Sequence, residues 1–177
     1  MSLLYLLPSL PMLGFDTTPG ITPEAFAATC REQLSAADAV AAEALLEGRA
    51  AEHPFVEAWH DKEAILRNAV ARQRARVAGT EAARWQRHTR GCDMQIEVGV
   101  DDAFLETDPI KKEKALDKIR WVAAEELQGP DPLNIKAVFA YAVKLAILSR
   151  WHALSATRGQ ETFETLTRTP SPLSTGE

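Results

Sequence analysis

Asp108-Pro109 and Asp131-Pro132 each open a long helical pattern, and Gly129-Pro130 separates the two. Asp suits an N-cap because its carboxylate accepts an orphan backbone N–H. Pro suits the first turn because its missing donor had no partner there. A glycine followed by a proline ends one helix and turns the chain sharply before the next. The pattern predicts an antiparallel helical hairpin at the C-terminal end, closing near Ser149-Arg150-Trp151.

The second arm of this hairpin, residues 132–157, is apolar over most of its circumference: Ile135, Val138, Phe139, Val143, Leu145 and Leu148 are spread round it, with Trp151 and Leu154 beyond. Lys136, Lys144 and Arg150 fall within an arc of about 120° at 100° per residue. A helix with one narrow polar stripe is predicted to be the central rod of a bundle. The first arm carries Leu116, Ile119, Ala123 and Leu127 on one stripe. Trp121 lies about 140° round from Leu116, which leaves two readings, a second core layer or a partner's surface.

Upstream, residues 3–13 read as an extended piece or short helix broken by Pro8 and Pro11, and residues 14–20 as a loop. Thr22-Pro23 starts a helix to about Leu34, with Ala25, Phe26, Ala28, Thr29 and Cys30 expected inside. Ser35 caps residues 36–47, with Asp38 as a capping-box variant and Gly48 as the stop. His53-Pro54 begins a long helix to Val77, ended by Ala78-Gly79, with Phe55, Trp59, Leu66, Ala69 or Val70, and Val77 at helical spacing. Residues 80–90 suggest a short helix. Residues 91–107 show no clear period; Gln95 to Val100 alternate like a strand that has nothing to pair with, so a loop is predicted. A short helix is expected over residues 161–168. The fold class is therefore all-α, a bundle of five to seven helices in one domain over residues 1–168, with a disordered tail over 169–177.

With 177 residues, 46% hydrophobic and 25% charged, the chain has the material for one good core. Cys30 and Cys92 are the only cysteines, which suits two free thiols in a reducing compartment better than a disulfide scaffold. The opening Leu3-Leu4-Tyr5-Leu6-Leu7 has no basic residue before it and no Ala-x-Ala cleavage site, and reads as a first core element rather than an export leader. No apolar run reaches the length of a membrane span. A cytoplasmic location without membrane insertion is expected.

Catalytic patterns are sparse. Glu57-x-x-His60 is half of a di-iron carboxylate motif, but no second copy exists to complete it. His53, His88 and His152 stand at no zinc-ligand spacing with each other or with the cysteines. There is no Gly-x-Ser-x-Gly and no glycine-rich phosphate loop. No enzyme activity, cofactor or metal is expected.

The net charge is −5, yet Arg67, Arg72, Arg74, Arg76, Arg84, Arg87 and Arg90 face only Glu81 within one block. With Trp85 among them, the block suits nucleic acid, an acidic protein partner, or a solvated face whose arginines pair with acids such as Glu43, Glu47 or Asp101. Docking onto an acidic protein is favoured, with Arg72, Arg76, Arg84, Arg87 and Trp121 as candidate contacts. Arg67-Asn68, after Ile65-Leu66, is a candidate buried polar anchor.

Several stretches match a known pattern. They are Tyr5-Leu6-Leu7-Pro8-Ser9-Leu10-Pro11, Leu34-Ser35-Ala36-Ala37-Asp38, Arg67-Asn68, Leu116-Asp117-Lys118-Ile119-Arg120-Trp121, Tyr141-Ala142-x-Lys144-Leu145 and Arg150-Trp151. Together they resemble an uncharacterised bacterial family encoded beside the genes for V-type ATPases. That family is distantly similar to the helical central-stalk piece of those enzymes, which sits on the membrane rotor ring. The resemblance implies a non-catalytic accessory or central-stalk-like subunit of a rotary ion-translocating ATPase. Its partners would be the central stalk or membrane rotor, and its place the inner membrane's cytoplasmic periphery through that complex. The chain is much shorter than the central-stalk piece, so the implied role is a partial coupler or an assembly factor. The alternative is a nucleic-acid-associated helical protein using residues 67–90.

Overall fold

Six helix starts carry a side chain that accepts a backbone N–H from the first turn, and these caps set the architecture. The structure, a computed structural model, describes residues 3–89 and 91–154. Among the described residues it is all helical, with α1 (Leu3–Ser9), α2 (Pro23–Gln33), α3 (Ala36–Glu47), α4 (Pro54–Ala78), α5 (Met94–Ala103), α6 (Pro109–Gln128) and α7 (Ile135–Ala153). The caps are Thr22, Ser35, His53, Asp93, Asp108 and Asn134. His53 is the unusual one, its Nδ1 accepting from Phe55 N at 3.1 Å. Ser35 Oγ both accepts from Asp38 N and donates to the Asp38 carboxylate at 2.7 Å.

The expected central rod is α7, packed against α1, α2, α3 and α6. Val138, Phe139, Ala140, Ala142 and Leu145 have no exposed surface, while Lys136 and Arg150 stay in the wet stripe. Phe139 meets His53 and Phe55, and Phe26 stacks on Tyr141 at 5.1 Å. Each large apolar side chain buried in this way stabilises the fold by about 1.5–3 kcal/mol. A second, smaller core lies between the C-terminal half of α4, α5 and the first half of α6, around Leu66, Val70, Ile96, Val100 and Leu116. α4 and α6 contribute to both cores and join them.

Five expectations need correction. Residues 91–107 are not a loop: α5 occupies Met94–Ala103, capped by Asp93 and burying Ile96, Val100 and Ala103 at helical spacing. Gly99 belongs there because a Cβ would come within 3.1 Å of the Ile119 side chain. Residues 80–89 form no helix beyond one 3₁₀ turn at Ala83–Trp85, because Gly79 has already turned left-handed at φ 64°. α7 starts at Ile135, capped by Asn134; Asp131 instead accepts from Leu133 N in the turn before it. On α2 the buried small residue is Ala27, with Ala25 and Ala28 exposed. Val77 and Leu154 are exposed at the helix ends, and Trp151 is only partly buried. The helix expected over 161–168 and the tail from 169 lie outside the described residues.

Candidate functional site

The second half of α4 presents two unlike faces, and its arginines divide between them. Arg72 points toward α5 and pairs with Glu97, beside a hydrogen bond from Gln73 to Asp101. Arg74 stands on the opposite side. Arg76 is about 200° round from Arg74, exposed, and away from the groove that Arg74 borders.

That groove, about 500 Å³, runs between α4 and the first half of α6 and is closed at one end by Thr80 and Trp85. Its floor is apolar, built from Leu66, Val70, Ala71, Ala75, Ala78 and Leu116. The α4 contribution repeats at residues 67, 71, 74 and 78, one continuous stripe about 16 Å long at 1.5 Å per residue. Arg67 and Arg74 stand on that same stripe, and Glu113 is the only acid in the lining. Arg84 lies 4.7 Å from the centre of the Trp85 ring, and Trp85 itself is 62% exposed. Among the described residues, Arg74, Arg76, Arg84 and Arg87 form no ion pair.

The Trp85 wall is fastened by one side chain. Asn68, buried on α4, donates Nδ2 to Arg87 O and accepts from Arg87 N, both at 2.8 Å. The expected polar anchor is thus Asn68 alone, while Arg67 remains exposed with a 3.3 Å contact to Glu63. Arg87 serves the site through its backbone, not its charge.

Next to the groove, and sharing Arg67 and Arg120 with it, a second depression holds a charged cluster that sequence reasoning did not single out. Asp117 is 1% exposed, and its carboxylate accepts from Arg120 Nη1 at 3.0 Å, from Trp151 Nε1 at 2.6 Å and from Arg150. Arg120 also donates to Glu63 on α4 at 2.6 Å. Burial would lower the Arg120 pKa, but the Glu63 and Asp117 carboxylates outweigh it and hold the pKa above its usual value. The three-residue spacing from Asp117 to Arg120, on one helix face, was the available signal.

Trp121 belongs to the core. It is 4% exposed, meets Phe15 edge-on at 5.5 Å, and donates to Glu125 Oε1 at 2.9 Å. The structure therefore assembles Arg67, Arg74 and Trp85 around one groove, with Arg84 against the Trp85 ring, and separates Arg72, Arg76 and Trp121 from it. Glu57 is exposed and His60 Nε2 lies 3.1 Å from Arg49 O. Among the described residues no group of three or more His, Cys, Asp or Glu side chains is placed to hold a metal ion. None of the described helices is long and apolar enough to cross a membrane.

A family model described as a protein of unknown function (DUF2764) matches residues 99–169, which include the end of α5 and all of α6 and α7. No curated protein and no solved structure matches the chain.

Proposed function

We propose that this chain is a non-catalytic docking subunit, accessory or central-stalk-like, of a bacterial V-type rotary ATPase, with the α4–α6 groove as its partner surface. The observation that carries the docking reading is the split among its arginines. Arg72, Arg120 and Arg150 are turned onto carboxylates inside the molecule. Arg74 and Arg84 stand exposed beside an apolar floor and an exposed tryptophan. Surfaces that join an aromatic and arginines to an apolar centre have the composition of protein interfaces. The family resemblance supplies the choice of partner.

The test is affinity purification of the tagged chain from its host, followed by measurement of co-purifying ATPase activity. Arg74→Glu with Arg84→Glu should lower the recovered activity at least fivefold while leaving the thermal midpoint unchanged. Wild-type chain that brings down no ATPase subunits defeats this assignment. Arg72 is a poor choice for the experiment, since its loss also cuts the tie to α5.

A further inference from the structure

The occupant of the groove follows from the chemistry of its walls, on the reading that the groove is a docking surface. A segment lying on Leu66, Val70, Ala71 and Leu116 loses water along its whole underside. An extended peptide would leave backbone N–H and C=O groups against that floor without partners, which opposes binding. A helix satisfies its own backbone and brings only side chains to the surface. The length agrees: the α4 stripe of about 16 Å matches three helical turns at about 5.4 Å each. Ala71, Ala75 and Ala78 keep the α4 side low enough for such close approach.

Charge then sets the flanks. Arg74 and Arg84 have no ion-pair partner among the described residues, Arg67 is half-committed to Glu63 across 3.3 Å, and Glu113 alone opposes them in the lining. A carboxylate placed against an arginine gains a charge-assisted, often bidentate hydrogen bond. A small anionic ligand fits less well, because Arg74 and Arg84 are exposed to water, and the charge of Arg120 is already matched by Glu63 and Asp117. Nucleic acid would find one stacking ring, Trp85, and an otherwise aliphatic floor where bases need aromatic platforms.

We infer that the α4–α6 groove binds an amphipathic helix of a protein partner, about three turns long, with an apolar seam flanked by Asp and Glu. The seam lies on the alanine-rich floor, its acids reach Arg74, Arg84 and Arg67, and Trp85 packs against its end.

The test presents the full chain to a displayed library of 18-residue peptides with a helix-forming frame and randomised surface positions. Recovered peptides should carry apolar residues at i, i+3 or i+4, and i+7, with Asp or Glu beside them. Their affinity should fall at least tenfold in the Arg74→Glu, Arg84→Glu variant, whose substitutions are on exposed positions, and again in Ala71→Glu, which puts a carboxylate on the floor. Recovery of no peptides, of neutral or basic ones, or of acidic ones indifferent to both variants overturns the inference. So does displacement of the peptides by a 20-nucleotide oligouridylate that binds more tightly and loses affinity steeply with salt, which assigns the groove to RNA. Peptide binding without co-purifying ATPase would leave this inference standing and remove the ATPase; the converse would do the reverse.

Discussion

Trp151 donates its indole N–H to Asp117 Oδ2 across 2.6 Å, fastening the last turn of α7 to the middle of α6. The same carboxylate takes Arg120 and Arg150, so three donors converge on a group that is 1% exposed. Arg120 continues to Glu63, which brings α4 into the same cluster. The hairpin is thus pinned by charge at one end, and along the rest of its length by apolar packing and the Lys144–Glu125 pair at 2.9 Å.

Asp117→Asn preserves shape but removes the charge on which two guanidiniums depend. Breaking a buried pair from one side costs about 3–5 kcal/mol, and Arg120 keeps Glu63, so a loss near 3 kcal/mol is expected in urea unfolding. Trp151→Phe keeps most of the ring and deletes one donor to a carboxylate, for about 1.5 kcal/mol. Equal losses for the two variants would show that packing, not the carboxylate, pins the hairpin.

The two thiols should react very differently. Cys30 has no exposed surface on α2. Burial first, then the nearby Glu43 carboxylate, pushes its pKa up to about 12, against a smaller opposing pull from Arg31. Cys92 is exposed. An aromatic disulfide reagent at neutral pH should modify Cys92 in the native protein and reach Cys30 only on unfolding, because the thiolate is the reactive form. Fast reaction at both positions would mean that α2 leaves the core readily.

Strong acid should loosen α5. Burial would raise the Asp93 carboxyl, but Lys62 and the N–H groups of Ile96 and Gln95 outweigh it and hold the pKa below its ordinary value. A depressed folded pKa contributes stability that is complete above the ordinary carboxylate range, near roughly pH 4. That contribution is lost as pH falls through the lower folded value. Amide protection in α5 should therefore begin to fall only below about pH 4. Asp93→Asn retains a good N-cap and should flatten that dependence; an unaltered acid profile would place the controlling group elsewhere.

Three helix starts were legible as a cap beside a proline, at Thr22-Pro23, His53-Pro54 and Asp108-Pro109. Asp131-Pro132 has the same pair of residues but closes only a turn, since Asn134 three residues on makes the cap with Ala137 N. α5 was hidden because Gln95 to Val100 alternate by side-chain type, and because Gly99 weakens a helix reading. Its glycine is explained by Ile119, a contact that no local pattern contains. The basic block was visible as composition, but the division of its arginines was not. That division depends on Glu97, which lies on the hidden helix, and on Glu63, whose partner Arg120 is 57 residues distant.

The Asn68 clamp has one more consequence, because an amide is neutral. The seam joining α4 to α5 adds formal charges to its apolar packing, Arg72 with Glu97 and Lys62 with Asp93, and dissolved ions weaken attractions of that kind where water reaches them. The Asn68–Arg87 link is a pair of uncharged hydrogen bonds, indifferent to ionic strength and to protonation. Brine and acid therefore slacken one flank of α4 while the flank that carries Trp85 keeps its form.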